Sequence, residues 1–421
     1  MHIAGSHPGD VAPPYCGRMA RRHVVVVGGG IVGAAVARAL TLTPEHPDVT
    51  VLEKESGPGR HQTGRNSGVV HAGLYYVPGS DKARLARAGI TRLKAYCADH
   101  GIRYDEVGKV LVALDEADET RLRAIRERAE ANGVPGLRWL GPEGLREVEP
   151  HAVGRAALHS PTTAIVDYTD VAAAMLTDAT AAKASVHTGF EVVGFDETDA
   201  GRTRVRAADG RAVDADLVVI AGGLQADRLA TLAGDSVHPR IVPFRGEFHE
   251  LDESARHLVR GLIYPVPDPR YPFLGVHLTK RVDGRVLLGP NAVLATAREG
   301  YRLRDVETAE LRELLRSSGF RSFARQNVAT GLREVWGSVN RRAFIAAARR
   351  YVPQVTGEHV VRGPAGVRAQ AMDADGSLVD DFRWSRVGSV LSVRNAPSPA
   401  ATASLAIADL VVDRLGLTVT V

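Results

Sequence analysis

Three glycines, Gly28, Gly30 and Gly33, spell G-x-G-x-x-G, and an acid, Glu53, follows twenty positions after the last of them. Together these residue types hold a dinucleotide. The first glycine permits a tight turn, the second lets a pyrophosphate approach the backbone, and the third lets a helix pack on a strand. The helix N-terminus offers free N–H groups and the positive end of its dipole. An acid at this distance accepts hydrogen bonds from a ribose and repels the extra phosphate of NADP. Directly downstream, GPGRHQTGRNSG is a polar, glycine-rich loop that brings Thr63, Arg65, Asn66 and Ser67 toward the same ligand. His71 then stands among small and apolar residues in VVHAGLYY. An imidazole in such company is a candidate proton acceptor.

The elements that must position these groups are legible around them. HVVVV, residues 23 to 27, is a short buried strand, AAVARALTL continues as a helix, and VTVLEKE, residues 49 to 55, is a second strand ending near Glu53. A domain for NAD alone would continue with simple strand–helix units. This chain instead enters the long polar loop, which suits a larger dinucleotide whose ring system must be followed, and FAD is the expected cofactor. ADLVVIAGG, residues 215 to 223, is a further buried strand whose Gly222 allows another close backbone approach. Val192, in VHTGFEVVGFDE, is a further expected cofactor-binding residue.

Residues 81 to 99 read as a helix burying Leu85, Leu93, Tyr96 and Cys97, and residues 117 to 131 as an amphipathic helix around Leu122 and Ile125. Asp209-Gly210 and Asp283-Gly284 mark hairpin turns. Residues 241 to 295 are strand-rich, and 305 to 318 return to helix. The last segment reads strand, loop, helix, with Ser398 as N-cap and Pro399 as the first helical residue. The expected fold class is α/β (α+β overall). A Rossmann-like FAD-binding domain (21–95, 160–240 and 356–421) is interleaved with a mainly antiparallel substrate domain (96–159 and 241–355). Residues 1 to 20 are expected to form a disordered tail, with Met19 an equally sensible start.

Composition excludes several classes. In 421 residues, 53 Lys and Arg against 49 Asp and Glu leave a net charge of +4 without a basic block, so nucleic acid is not an expected partner. Two cysteines, Cys16 and Cys97, rule out a disulfide scaffold, a cysteine zinc site and an iron–sulfur cluster, and no metal is expected. They fit a reducing, cytoplasmic setting. No apolar run is long enough to span a bilayer as a helix, and the opening residues lack the pattern of a signal peptide. Oligomeric state has no signature in the sequence.

Five blocks carry a resemblance: RNSGVVHAGLYYVPGSDKARL, VPFRGEF, LIYPVPDPRYPFLGVHLTKRVDGRVLLGPNAV, GVRAQAMDADGSLVDDF and RNAPSPAATASLAI. The chain resembles the FAD-dependent amino-acid oxidase superfamily, and within it the L-2-hydroxyglutarate oxidase/dehydrogenase family. The resemblance implies oxidation of a dicarboxylic 2-hydroxy acid, L-2-hydroxyglutarate, to 2-oxoglutarate. It also implies electron delivery to a quinone or to oxygen, the former with peripheral contact at the inner face of a membrane.

Such a reaction needs cationic clamps, a base and stabilisation of a reduced flavin. Arg245, Arg368 and Arg394 are the candidate clamps. Arg368 and Arg394 match positions where related amine oxidases hold a carboxylate or wall the flavin. Tyr264 adds a phenolic donor, and His71 and His277 are the candidate bases. Asn395 and Ser398, at the helix expected from Pro399, would meet the flavin pyrimidine edge. Two alternatives stay open at this point: a glycine- or sarcosine-type amine oxidase of the same fold, and a flavin-binding subunit without catalysis.

Overall fold

The valine run His23–Val27 lies at the heart of a six-stranded sheet. It pairs in parallel with Asp48–Leu52 on one side and Leu217–Ile220 on the other. A parallel strand covered on both faces has no polar side, which is why this run is continuously apolar. The computed structural model describes residues 21–268, 275–302, 304–327 and 340–418. Cys16, Met19 and the expected N-terminal tail lie outside the described residues. Ser185–His187 extends the sheet beyond Asp48–Leu52. Val390–Asn395 and then Arg383–Val387 extend it beyond Leu217–Ile220, the last pair running antiparallel.

The helix Ile31–Thr41 packs on this sheet between the helices Tyr168–Ala181 and Ser404–Arg414. Its inner residues Ala34, Ala35, Ala37 and Leu40 are fully buried, and the alanines let the helices approach closely. Helix Asp81–Asp99 buries Leu85, Leu93, Tyr96 and Cys97 as its spacing predicts. The last helix starts later than expected. Residues 398 to 403 form successive turns, with Ala400 N donating to Pro397 O and Ala403 N to Pro399 O, and the helix begins at Ser404 with Ala403 as its N-cap. The turns satisfy the backbone donors that a helix from Pro399 would have used, so Ser398 is not a cap.

The second large sheet has nine strands among the described residues. Its spine is Arg240–Leu251, paired antiparallel along its length with Val360–Met372. The sequence reading places Val360–Met372 in the cofactor segment. The structure puts it in this sheet, where a thirteen-residue strand finds a partner long enough to satisfy its backbone. The Asp283-Gly284 hairpin joins His277–Lys280 to Val286–Gly289, and Lys109–Ala113 runs parallel to Leu262–Pro265. The mixed architecture, a parallel core sheet beside a mainly antiparallel one, agrees with the expected fold class. A small sheet of Val69–Val70, Ala164–Val166 and Tyr104–Asp105 seats the segment that leads into His71. The helix expected over 305 to 318 divides at Ser317, whose side chain accepts from Phe320 N and starts a second helix, Ser318–Gln326.

Candidate functional site

One cavity of about 720 Å³ runs from the glycine turn to the inner face of the antiparallel sheet. That volume is within the range of cofactor and ligand sites. At the first end, the turn is tight enough to exclude any side chain. Gly28 has φ +111°, and a Cβ there would lie 2.5 Å from Ala221 O. Gly33 faces away from the cavity, and a Cβ on it would lie 1.9 Å from Gly28 O. Gly28, Gly30 and Gly222 line the cavity with bare backbone. The buried Glu53 carboxylate accepts from Gly29 N at 2.6 Å and from Glu55 N at 2.9 Å, which locks the turn while lone pairs remain for a ribose. Thr63 reaches back across the chain, its Oγ1 accepting from Ile31 N at 3.0 Å.

The polar loop divides its labour. Asn66 braces it: the amide donates to Gln62 O and Thr63 O, and Oδ1 accepts from Gly68 N at 2.7 Å. Arg65 lays its guanidinium 3.7 Å from the Tyr301 ring centroid. Arg65, Asn66, Ser67 and Val192 all line the cavity. Gly366, on Val360–Met372, passes so close to this loop that a Cβ would lie 2.2 Å from Arg65 O. At the rim, Lys54 joins Glu55 (2.6 Å) to Glu299 (2.8 Å), and His61 meets Glu55 at 2.9 Å. Lys54 and then His61 pull the Glu55 carboxyl down to about 2. Lys54, Glu55 and His61 are close in the chain, but Glu299, which completes the group, lies 245 positions from Lys54, and no local pattern marks it.

At the other end, His71, Tyr264, His277 and Arg368 line one chamber. His71 is held by its backbone, whose N donates to Thr402 Oγ1 at 3.2 Å; Thr402 in turn meets the Tyr168 hydroxyl at 2.9 Å. Burial, with Lys109, His277 and Arg368 nearby, pushes the His71 pKa down to about 3. His277 Nδ1 lies 2.9 Å from Gly275 O. A carbonyl only accepts, so Nδ1 carries the proton and Nε2 presents a lone pair. Burial likewise lowers His277 to about 3, against the raising effect of the Gly275 bond. Its ring sits 4.0 Å from that of Tyr264. The Tyr264 hydroxyl accepts from Thr279 Oγ1 at 3.4 Å, leaving its own proton to donate.

The three arginines part company. Arg368 opposes Phe244 in the long strand pair and exposes its side chain, and the surface it exposes faces the cavity. The surrounding protein lowers its pKa by desolvation. Arg394 is 1% exposed, and its donors go to Asp235 (2.7 Å), Ser236 O (2.9 Å) and Pro239 O (3.2 Å). Arg245 is not among the cavity-lining residues; it donates to Arg302 O at 2.9 Å and lies 3.5 Å from Glu247. The buried ion pairs of Arg245 and Arg394 make them part of the frame, and a clamp role would require breaking those pairs. Ser398 and Asn395 line the wall, with the Asn395 amide donating to Val379 O and Asp381 O.

Comparison with known proteins gives a consistent picture. The model of the family described as FAD dependent oxidoreductase matches residues 23–414. The mitochondrial L-2-hydroxyglutarate dehydrogenase of Nematostella vectensis is 46% identical over 410 residues, covering 93% of this chain and 90% of that protein. The Homo sapiens mitochondrial L-2-hydroxyglutarate dehydrogenase is 44% identical over 407 residues, covering 93% and 88%. Among solved structures, the dithionite-reduced L-alpha-glycerophosphate oxidase of Mycoplasma pneumoniae with FAD bound superposes with a TM-score of 0.77. It is 21% identical and covers 96% of this chain and 97% of that one.

Proposed function

The chain belongs to the FAD dependent oxidoreductase family, with the L-2-hydroxyglutarate dehydrogenases as its relatives, and from that premise we propose that it oxidises L-2-hydroxyglutarate to 2-oxoglutarate with FAD. One observation carries the reading: a single cavity joins a dinucleotide cradle to a chamber holding two neutral imidazoles and a guanidinium. The cradle fits the cofactor because the turn at Gly28 is bare backbone and Glu53 stands at the end of the neighbouring strand. The chemistry FAD supplies when bound is acceptance of the hydride from C2.

The protein's own residues do the rest. Arg368 receives the carboxylate beside C2 and fixes which face of that carbon is presented. His71 takes the hydroxyl proton as the hydride leaves, so two electrons and one hydrogen go to the cofactor and one proton to imidazole. His277, with Nε2 unprotonated, faces the same hydroxyl from the antiparallel sheet. Arg394 and Arg245 hold the walls. Electrons then leave to a quinone or to oxygen; among the described residues no helix is long and apolar enough to cross a membrane.

Anaerobic titration tests the reading. L-2-hydroxyglutarate should bleach the flavin absorbance to completion, and the D enantiomer, which turns C2–H away, should leave it unchanged. Mixing the reduced protein with air or with a soluble quinone then identifies the acceptor. Ammonia release from glycine without bleaching by hydroxyglutarate would replace this reading with an amine oxidase.

The cradle makes its own prediction. Gly33→Ala places a methyl inside van der Waals contact of Gly28 O, so the helix must lift off the turn. The variant should purify with little FAD and melt at a lower temperature, as read by released flavin fluorescence and a thermal scan.

A further inference from the structure

Lys109 is 2% exposed, at the start of the strand Lys109–Ala113. Its ammonium lies 3.9 Å from the centroid of the Tyr264 ring and 4.7 Å from that of Tyr75. Among the described residues no carboxylate pairs with it. Two ring faces attract a cation, but they do not neutralise it. Burial lowers its pKa to about 7, the mark of a charge that the surrounding protein does not offset. Beside it the Tyr75 hydroxyl is buried with no hydrogen-bond partner. A buried charge without a counter-charge costs free energy, and an anion in the neighbouring cavity would offset that cost.

The anion this corner lacks matches the anion the substrate brings. L-2-hydroxyglutarate has a second carboxylate, and of the two candidate clamps that line the cavity, Arg368 and Arg394, only Arg368 is exposed. Tyr264 lines the cavity on one side and supports Lys109 on the other, with its hydroxyl proton free to donate. We propose that Lys109 selects dianionic substrates: from one ring behind the cavity wall it supplies the positive charge for the second carboxylate, which the Tyr264 hydroxyl receives. It is a positioning and specificity residue, since it does not line the cavity itself. This inference rests on the proposed oxidation of L-2-hydroxyglutarate.

The test compares L-2-hydroxyglutarate with L-2-hydroxypentanoate, which has the same chain length and a methyl in place of the second carboxylate. In Lys109→Met, the ratio of kcat/KM for diacid over monoacid should fall by on the order of ten- to a hundredfold, through KM of the diacid. The monoacid values should change far less, because burial, the larger cause of the low His71 pKa, remains without Lys109, and FAD content should be unchanged. The variant should melt no lower than the wild type, because an uncompensated buried charge has been removed. An unchanged ratio, or an equal loss with both substrates, overturns the proposal. Should Lys109→Met fail to fold, Tyr264→Phe reads the same ratio, and an undiminished preference there overturns it as well. Failure of the wild type to oxidise L-2-hydroxyglutarate would instead sink the functional reading beneath it.

Discussion

Replacing His71 by Asn is expected to lower kcat for L-2-hydroxyglutarate by about 10²–10⁴-fold, the usual contribution of a positioned proton acceptor. FAD content should be unaffected, because the link between this segment and the wall is the backbone N of His71 to Thr402, which asparagine preserves. The pH dependence identifies the group. A base works only when unprotonated, so activity is lost as pH falls through its pKa. Burial and the cations Lys109 and Arg368 hold the His71 pKa near 3 in the free protein, so its limb in kcat/KM should lie well below the ordinary histidine range. A dianionic substrate favours the imidazolium and raises that pKa, so the limb in kcat should sit at higher pH than the limb in kcat/KM. His277→Asn should cost less. A larger loss in His277→Asn than in His71→Asn would exchange the two roles.

Arg368→Met is expected to reduce kcat/KM by about 10²–10³-fold, roughly 3–4 kcal/mol, as for the loss of one partner of a buried charge pair. The mechanism is loss of a carboxylate clamp, so KM should carry most of the change, with a smaller part in kcat from poorer alignment of C2. Arg368→Lys should recover only part of it, since a point charge cannot reproduce a bidentate fork. The matching change at Arg394 should behave differently. Arg394→Met removes the cation that pairs with Asp235, leaving the carboxylate only its bonds from Ser385 and Ser236 N, and its main effect should be on thermal stability. If Arg394→Met raises KM as strongly as Arg368→Met while the fold holds, the assignment of the clamp is wrong.

The contrast between these two arginines explains how much the sequence could reveal. Local spacing carries local geometry: the glycine turn, the acid at the end of the second strand and the buried face of Asp81–Asp99 follow from periodicities of a few residues. The destination of a long side chain does not. Arg394 is held by Asp235, 159 positions away in the chain, and no pattern near either residue records the pairing. Thr63 reads as part of a cofactor loop, and its bond to Ile31 N requires knowing that the loop folds back over the helix start. Lys109 heads an apolar strand, where a lysine reads as the solvated end of the element; only the packing of Tyr75 and Tyr264 turns it inward. The late start of the last helix belongs to the same class, since turn bonds and helix bonds compete within six residues for the same donors.

The sheet order has a consequence for biosynthesis. Val390–Asn395 lies beside Leu217–Ile220, and residues 393 to 402 form one wall of the cavity whose other wall is the glycine turn near residue 30. Chain emerging from a ribosome therefore cannot close the cradle until residues 393 to 402 have been made. Contacts of such high sequence separation form slowly and leave the valine-rich central strands exposed while they wait. FAD can be enclosed only once that wall has been made, and until then the half-built sheet has to be shielded from other chains.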